Sequence, residues 1–81
     1  MMVVVRLFAR ARDLAGTDTV AVELPAGAVV KDLRQTLAQQ QPQLAGLLDR
    51  CVLAVDNEFA DETRPLSSAS EIALLPPVSG G

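Results

Sequence analysis

The stretch Glu71-Ile72-Ala73-Leu74-Leu75-Pro76-Pro77-Val78-Ser79-Gly80-Gly81 decides how the rest of the chain is arranged. Ile72 and Leu74 alternate with Ala73 and Leu75, which predicts a strand over 71–75 with two apolar faces. Pro76 and Pro77 stop it, because each fixes its own φ and offers no N–H to a ladder. Pro77 also holds Pro76 extended, so the chain is projected outward. Gly80 and Gly81 carry no side chain and resist no conformation. Residues 1–75 are therefore read as the folded domain and 76–81 as a flexible tail ending in Gly-Gly.

Working outward, the partners of this strand come into view. Residues 3–9 predict a first strand, with Val3, Val5, Leu7 and Ala9 on the core face and Val4, Arg6, Phe8 and Arg10 on the other. Residues 11–15 fit a helical turn that Gly16 is placed to end. Residues 19–24 predict a second strand with Val20, Val22 and Leu24 on one face, close enough to the first for an antiparallel pair. Pro25-Ala26-Gly27 breaks the chain. Val30, Leu33 and Leu37 then recur at helical spacing, while Lys31, Arg34, Gln35 and Gln39 lie away from that stripe. The helix start is weakly marked, since Ala28 is a poor N-cap, and Pro42 ends the pattern. Leu44, Leu47 and Leu48 fold a short segment back onto the core. Residues 52–55 predict a third strand, Asp56-Asn57 a turn, 58–60 a short fourth strand, and 61–70 a polar, turn-rich connection.

The order β-β-α-β-β-β places a helix between a hairpin and later strands, and such a crossover is right-handed. The economical solution is an α+β design: one mixed sheet of four to five strands with one main helix packed across one face. If the last strand pairs parallel to the first near the sheet centre, the tail leaves from the end of a central strand. That is the β-grasp, or ubiquitin-like, arrangement.

Bulk properties narrow the function classes. At 81 residues the chain is one domain, and a domain of this size buries only roughly 60% of its unfolded surface. A single cysteine, Cys51, excludes an internal disulfide, and the absence of histidine removes the commonest neutral-pH base and metal ligand. A net charge of −3 argues against nucleic acid as main partner. The opening residues do not read as a signal peptide, and no apolar run approaches a membrane span. A cytoplasmic protein that meets other proteins is expected.

The chemistry on offer is the α-carboxylate of Gly81, carried on the thinnest thread a polypeptide can make. A carboxylate is a poor acyl donor until it gains a leaving group such as an adenylate. The glycines, at 16, 27, 46, 80 and 81, build neither GxxxxGK[ST] nor GxGxxG. The chain is thus expected to bind no cofactor itself, and a separate activating enzyme must bring ATP.

Val52-Leu53-Ala54-Val55-Asp56-Asn57-Glu58-Phe59-Ala60, then Pro65-Leu66, then the Glu71–Gly81 stretch, together with Val5-Arg6-Leu7-Phe8-Ala9-Arg10-Ala11-Arg12-Asp13-Leu14-Ala15-Gly16, resemble the family of molybdopterin synthase small subunits. The resemblance covers essentially the whole chain, and the ending Pro76–Gly81 is its most specific element. It implies that Gly81 is adenylated by an activating enzyme related to ubiquitin E1 proteins and converted to a thiocarboxylate, with Gly80 giving access. A large subunit then takes the tail, Pro76, Pro77, Val78 and Ser79 included, into its active site. Sulfur from two successive small subunits makes the dithiolene of a pyranopterin, in a complex of two large and two small subunits. Catalytic groups come from the partners, so this chain is a non-catalytic carrier. The resemblance also assigns Phe8, Phe59 and Leu75 to the docking surface. The strand pattern alone puts Phe8 and Leu75 opposite the core stripes and leaves Phe59 open. Two departures, Asp56 where relatives often carry asparagine and Ala69-Ser70 where many carry Gly-Asp, fall in turns.

The di-glycine end is shared with sulfur carriers for thiamine and cysteine synthesis and with ubiquitin-like protein modifiers, so the tail alone does not choose among them. An inert tail on an interaction domain is the bland alternative. Cys51 reads as a small packed residue rather than a relay thiol. Asp56, Glu58, Asp61 and Glu62 lack calcium-loop spacing and read as a solvated turn. Arg6, Arg10 and Arg12 fit partner contacts and simple surface charge equally well.

Overall fold

The structure, a computed structural model, describes residues 1–76. Along the chain run strand β1 (Met2–Leu7), helix α1 (Ala9–Ala15), strand β2 (Thr19–Glu23), helix α2 (Val30–Gln40), a 3-10 turn (Pro42–Leu44), helix α3 (Ala45–Leu48), and strands β3 (Val52–Val55), β4 (Glu58–Phe59) and β5 (Ile72–Leu75). The strands form one open sheet in the order β2-β1-β5-β3-β4. The last strand lies parallel to β1 and antiparallel to β3. This is the expected β-grasp sheet, with three helices where the sequence marked one main helix and two short turns.

Alternation sorts the strands cleanly. Val3, Val5 and Leu7 of β1, Val20 and Val22 of β2, Leu53 and Val55 of β3, and Ile72 and Leu74 of β5 are all buried. The registers align them: Leu7 and Leu53 flank Leu74, and Val5 and Val55 flank Ile72. Ala11 of α1, Val30, Leu33 and Leu37 of α2, Leu44, and Leu48 of α3 close the core from the helical side. Among the described residues the opposite face of the sheet carries no helix.

Several boundaries differ from the sequence reading. Residues 8 and 9 do not continue β1: Phe8 is extended at the N-cap of α1 and Ala9 turns through φ 52°. Ala9 is exposed, not on the core face. Gly16 ends α1 as expected, in the left-handed conformation at φ 74°, with its N–H donating to Arg12 O. At α2 the N-cap is Val29, which has no side-chain acceptor. Asp32 supplies the missing half from within the first turn, accepting the Val29 N–H at 2.9 Å. Strand β4 ends at Phe59, one residue short of expectation. Asp56 and Asn57 both have positive φ, 52° and 67°, as a two-residue hairpin turn demands.

Arg34 lies off the apolar stripe of α2 and has a structural role there. Its side chain is only 19% exposed, and Nη1 donates to the carbonyls of Leu48 and Cys51. Nε stands 2.8 Å from the Glu62 carboxylate, close enough for charge attraction although the N–H is not aligned for a hydrogen bond. Arg34 therefore ties α2 to the α3–β3 joint and to the connection after β4. An Arg34→Met change leaves two carbonyls without this donor, and stability should fall by about 2–3 kcal/mol. Chemical denaturation checks it; an unchanged midpoint would mean that water replaces the guanidinium at no cost.

Candidate functional site

The helix-free face of the sheet holds the site. The registers bring Arg6 beside Ala73, Ala73 beside Ala54, and Ala54 beside Phe59, so one row crosses β1, β5, β3 and β4. The two alanines in the middle are small and the ends are large. The result is a hollow of about 350 Å³ lined by Arg6, Phe8, Ala54, Asn57, Phe59, Ala73 and Leu75. A second, wholly apolar-walled depression adjoins it, formed by Val52, Phe59, Leu75 and Pro76. Phe59 and Leu75 belong to both, and Pro76 puts the root of the C-terminal segment at the rim.

Phe59 is 79% exposed and Phe8 38% exposed. Both leave apolar area open to solvent on the wall of the hollow. Phe8 is still extended and keeps the alternation of β1, so it shares the face of Arg6 before the chain turns at Ala9. The Arg6 guanidinium lies 5.8 Å from the centre of the Phe8 ring, within cation–π range.

Phe8, Phe59, Leu75 and Pro76 are thus brought together. Pro77, Val78, Ser79, Gly80 and Gly81 lie outside the described residues. Arg6, Asn57, Val52, Ala54 and Ala73 complete the walls and were not singled out from sequence as parts of one surface. For Arg6 and Ala73 the signal was present, since both alternate with core residues. Alanine at 54 and 73 carries no chemical signature until the register aligns them.

The remaining candidates resolve into structural roles. Cys51 is 5% exposed, and burial pushes its thiol pKa up despite Arg34 and Arg50 nearby, which is the opposite of an activated thiolate. Asp56 accepts the Glu71 N–H at 2.9 Å, Glu58 pairs with Arg64 at 3.0 Å, and Glu62 faces Arg34. Asp61 accepts the Thr63 hydroxyl at 2.8 Å and the Thr63 N–H at 3.0 Å, which hold its carboxyl below the usual range. Among the described residues no group of three or more His, Cys, Asp or Glu could hold a metal ion. None of their helices is long and apolar enough to cross a membrane.

The sheet order and the helices on one face are those of the β-grasp, or ubiquitin-like, fold. Residues 5–81 match the ThiS family, and the chain belongs to that family. The chain is 37% identical over 84 residues to the molybdopterin synthase sulfur carrier subunit of Escherichia coli (strain K12), covering 99% of this chain and 100% of that one. In structure it resembles the small archaeal modifier SAMP1 of Haloferax volcanii, with a TM-score of 0.86, 29% identity and full coverage of both chains. It also resembles a chain in the complex of subunits 1 and 2 of the molybdopterin-converting factor from Helicobacter pylori, with a TM-score of 0.70, 30% identity and full coverage of both. The resemblance read in the sequence thus extends over the whole chain.

Proposed function

We propose that this chain is the sulfur-carrier subunit of a molybdopterin synthase. The observation that carries the reading is the apolar face at Phe8, Phe59 and Leu75, set beside Pro76 where the chain leaves a central strand toward Gly80-Gly81. Such a face lets a large subunit grip the folded body while the terminal residues enter its active site. A relative of full length is a molybdopterin synthase sulfur carrier subunit, and a structural neighbour belongs to a complex of subunits 1 and 2, which supports the same pairing.

In this reading the Gly81 carboxylate attacks the α-phosphate of ATP on an E1-like activating enzyme, releasing pyrophosphate and leaving an acyl-adenylate. A sulfur nucleophile then displaces AMP, and the carbonyl carbon of Gly81 keeps one oxygen and one sulfur as a thiocarboxylate. The sulfur passes to a cyclic pyranopterin precursor and water restores the carboxylate. Pro77, Val78 and Ser79 span the distance, Gly80 and Gly81 enter the narrow site, and the large subunit supplies acid and base. The assembly is two large and two small subunits, in the cytoplasm. This chain holds no cofactor; ATP belongs to the activating enzyme.

The test is the intact mass of the chain after incubation with ATP, a sulfide source and the activating enzyme. One oxygen-to-sulfur exchange is expected, followed by its loss when large subunit and pyranopterin precursor are added. Loading without transfer to the pterin would reassign the carrier to thiamine or cysteine synthesis; no loading would overturn it.

The likeness to SAMP1, a small archaeal modifier protein, favours a second reading. Adducts joining Gly81 to lysine side chains in a lysate would establish a modifier role.

A further inference from the structure

Among the described residues, Arg6 is the one charged residue in the wall of the 350 Å³ hollow. It makes no ion pair among the described residues, whereas Glu58, nearest Phe59 in sequence, is already paired with Arg64 at 3.0 Å. The Phe8 ring covers the guanidinium at 5.8 Å. A guanidinium at this distance is attracted to the ring without using its N–H donors, which stay available as a two-pronged set. Planar donors in that state suit a carboxylate, which accepts both prongs. Across the row, the floor over Ala73 and Ala54 has room for a bulky apolar side chain, with Phe59 as the far wall.

We propose that the partner seated on this face inserts an apolar side chain over Ala54 and Ala73 and sets an Asp or Glu carboxylate against Arg6. The inference rests on the docking role proposed for this face and specifies its chemistry: the partner is locally acidic, although this chain is acidic overall at net charge −3. Arg6 is the specificity element and Phe59 the anchor. Arg6 lies on the outward face, so its replacement leaves the core untouched. A carboxylate set against Arg6 beside the Phe8 ring, with the partner's apolar side chain next to it, is partly desolvated, which makes the pair stronger than one at a free surface.

The experiment measures the dissociation constant of the full chain for the molybdopterin synthase large subunit, at low and high salt, for the unaltered chain and for Arg6→Gln, Arg6→Glu and Phe59→Ala. Circular dichroism confirms that each variant is folded. Arg6→Gln should weaken binding roughly ten-fold at low salt, Arg6→Glu roughly a hundred-fold, and the gap should narrow as salt rises. Phe59→Ala should weaken binding at least ten-fold at either salt. Loss with Phe59→Ala but none with Arg6→Gln or Arg6→Glu would overturn the carboxylate while the docking face stands. No loss with any variant would overturn both. A further arm repeats the Arg6 series on chains whose C-terminal carboxylate is converted to an amide, since the chain's own terminal carboxylate is the other acceptor to be tested. An Arg6 effect that disappears there would mean that Arg6 serves the tail, and would overturn the partner assignment.

Discussion

A chain that ends at Gly80 should fold as before and lose sulfur loading by at least about a hundred-fold. Such a chain still ends in a glycine with an α-carboxylate, so the reacting group survives; what changes is reach. One residue of extended chain spans about 3.3–3.6 Å. Misplacement of a reacting atom by even about 1 Å can cost a hundred-fold, because the gain from holding reactants in place is lost. The folded body fixes where the thread begins, at Pro76 on the rim of the proposed docking face, so a shortened thread cannot recover the distance by sliding. Stability should be indifferent. The buried side chains among the described residues run from Val3 to Leu74, and changes away from the core stay within about 0.5 kcal/mol. Mass spectrometry after reaction with ATP, sulfide and the activating enzyme reads the first half, and a thermal melt reads the second. A Gly80-ended chain that loads at the normal rate would mean the enzyme does not measure length, and that the approach through Gly80-Gly81 is not what positions the carboxylate.

Periodicity made most of the sheet legible before any coordinates. Val3, Val5 and Leu7 alternate with charged or exposed partners, and Val30, Leu33 and Leu37 keep helical spacing; these patterns exist only because one face of each element is buried. What escaped was set by contacts distant in sequence. Nothing local to Phe8 announces that Ala9 turns through a positive φ, since alanine rarely does so. Strand β4 is two residues long and offers no alternation to read. Phe59 therefore found its face only through pairing with Ala54. Arg34 lies off the apolar stripe, and only the contacts with α3 and the loop at Glu62 show its structural role. The hollow is legible least of all, because it is the space left where two alanines from different strands meet in register.

Neighbouring residues of β5 give the sharpest contrast in stability. Leu74 is fully buried between Leu7 of β1 and Leu53 of β3, at the centre of the sheet and under the helices. Leu74→Ala removes its buried methyl groups and leaves a cavity that two paired strands cannot close, for an expected loss of about 2–5 kcal/mol. A domain of this length commonly has only about 4–12 kcal/mol in all. The melting temperature should therefore drop by roughly 10–30 °C, and the urea midpoint should fall with an unchanged slope. Ala73, one residue earlier, points the other way onto the bare face between Arg6 and Ala54. Ala73→Val adds bulk there without entering the core, so the midpoint should move by less than about 0.5 kcal/mol. The same change narrows the hollow and should weaken partner binding. If Leu74→Ala cost under about 1 kcal/mol, β5 would not be the strand on which the core depends. A tail anchored by β5 would then have no fixed origin. The side chain that holds the fold and the side chain that shapes the docking face are adjacent because a strand shows its two faces alternately. The same four-residue strand also leads straight into the segment that ends in Gly80-Gly81.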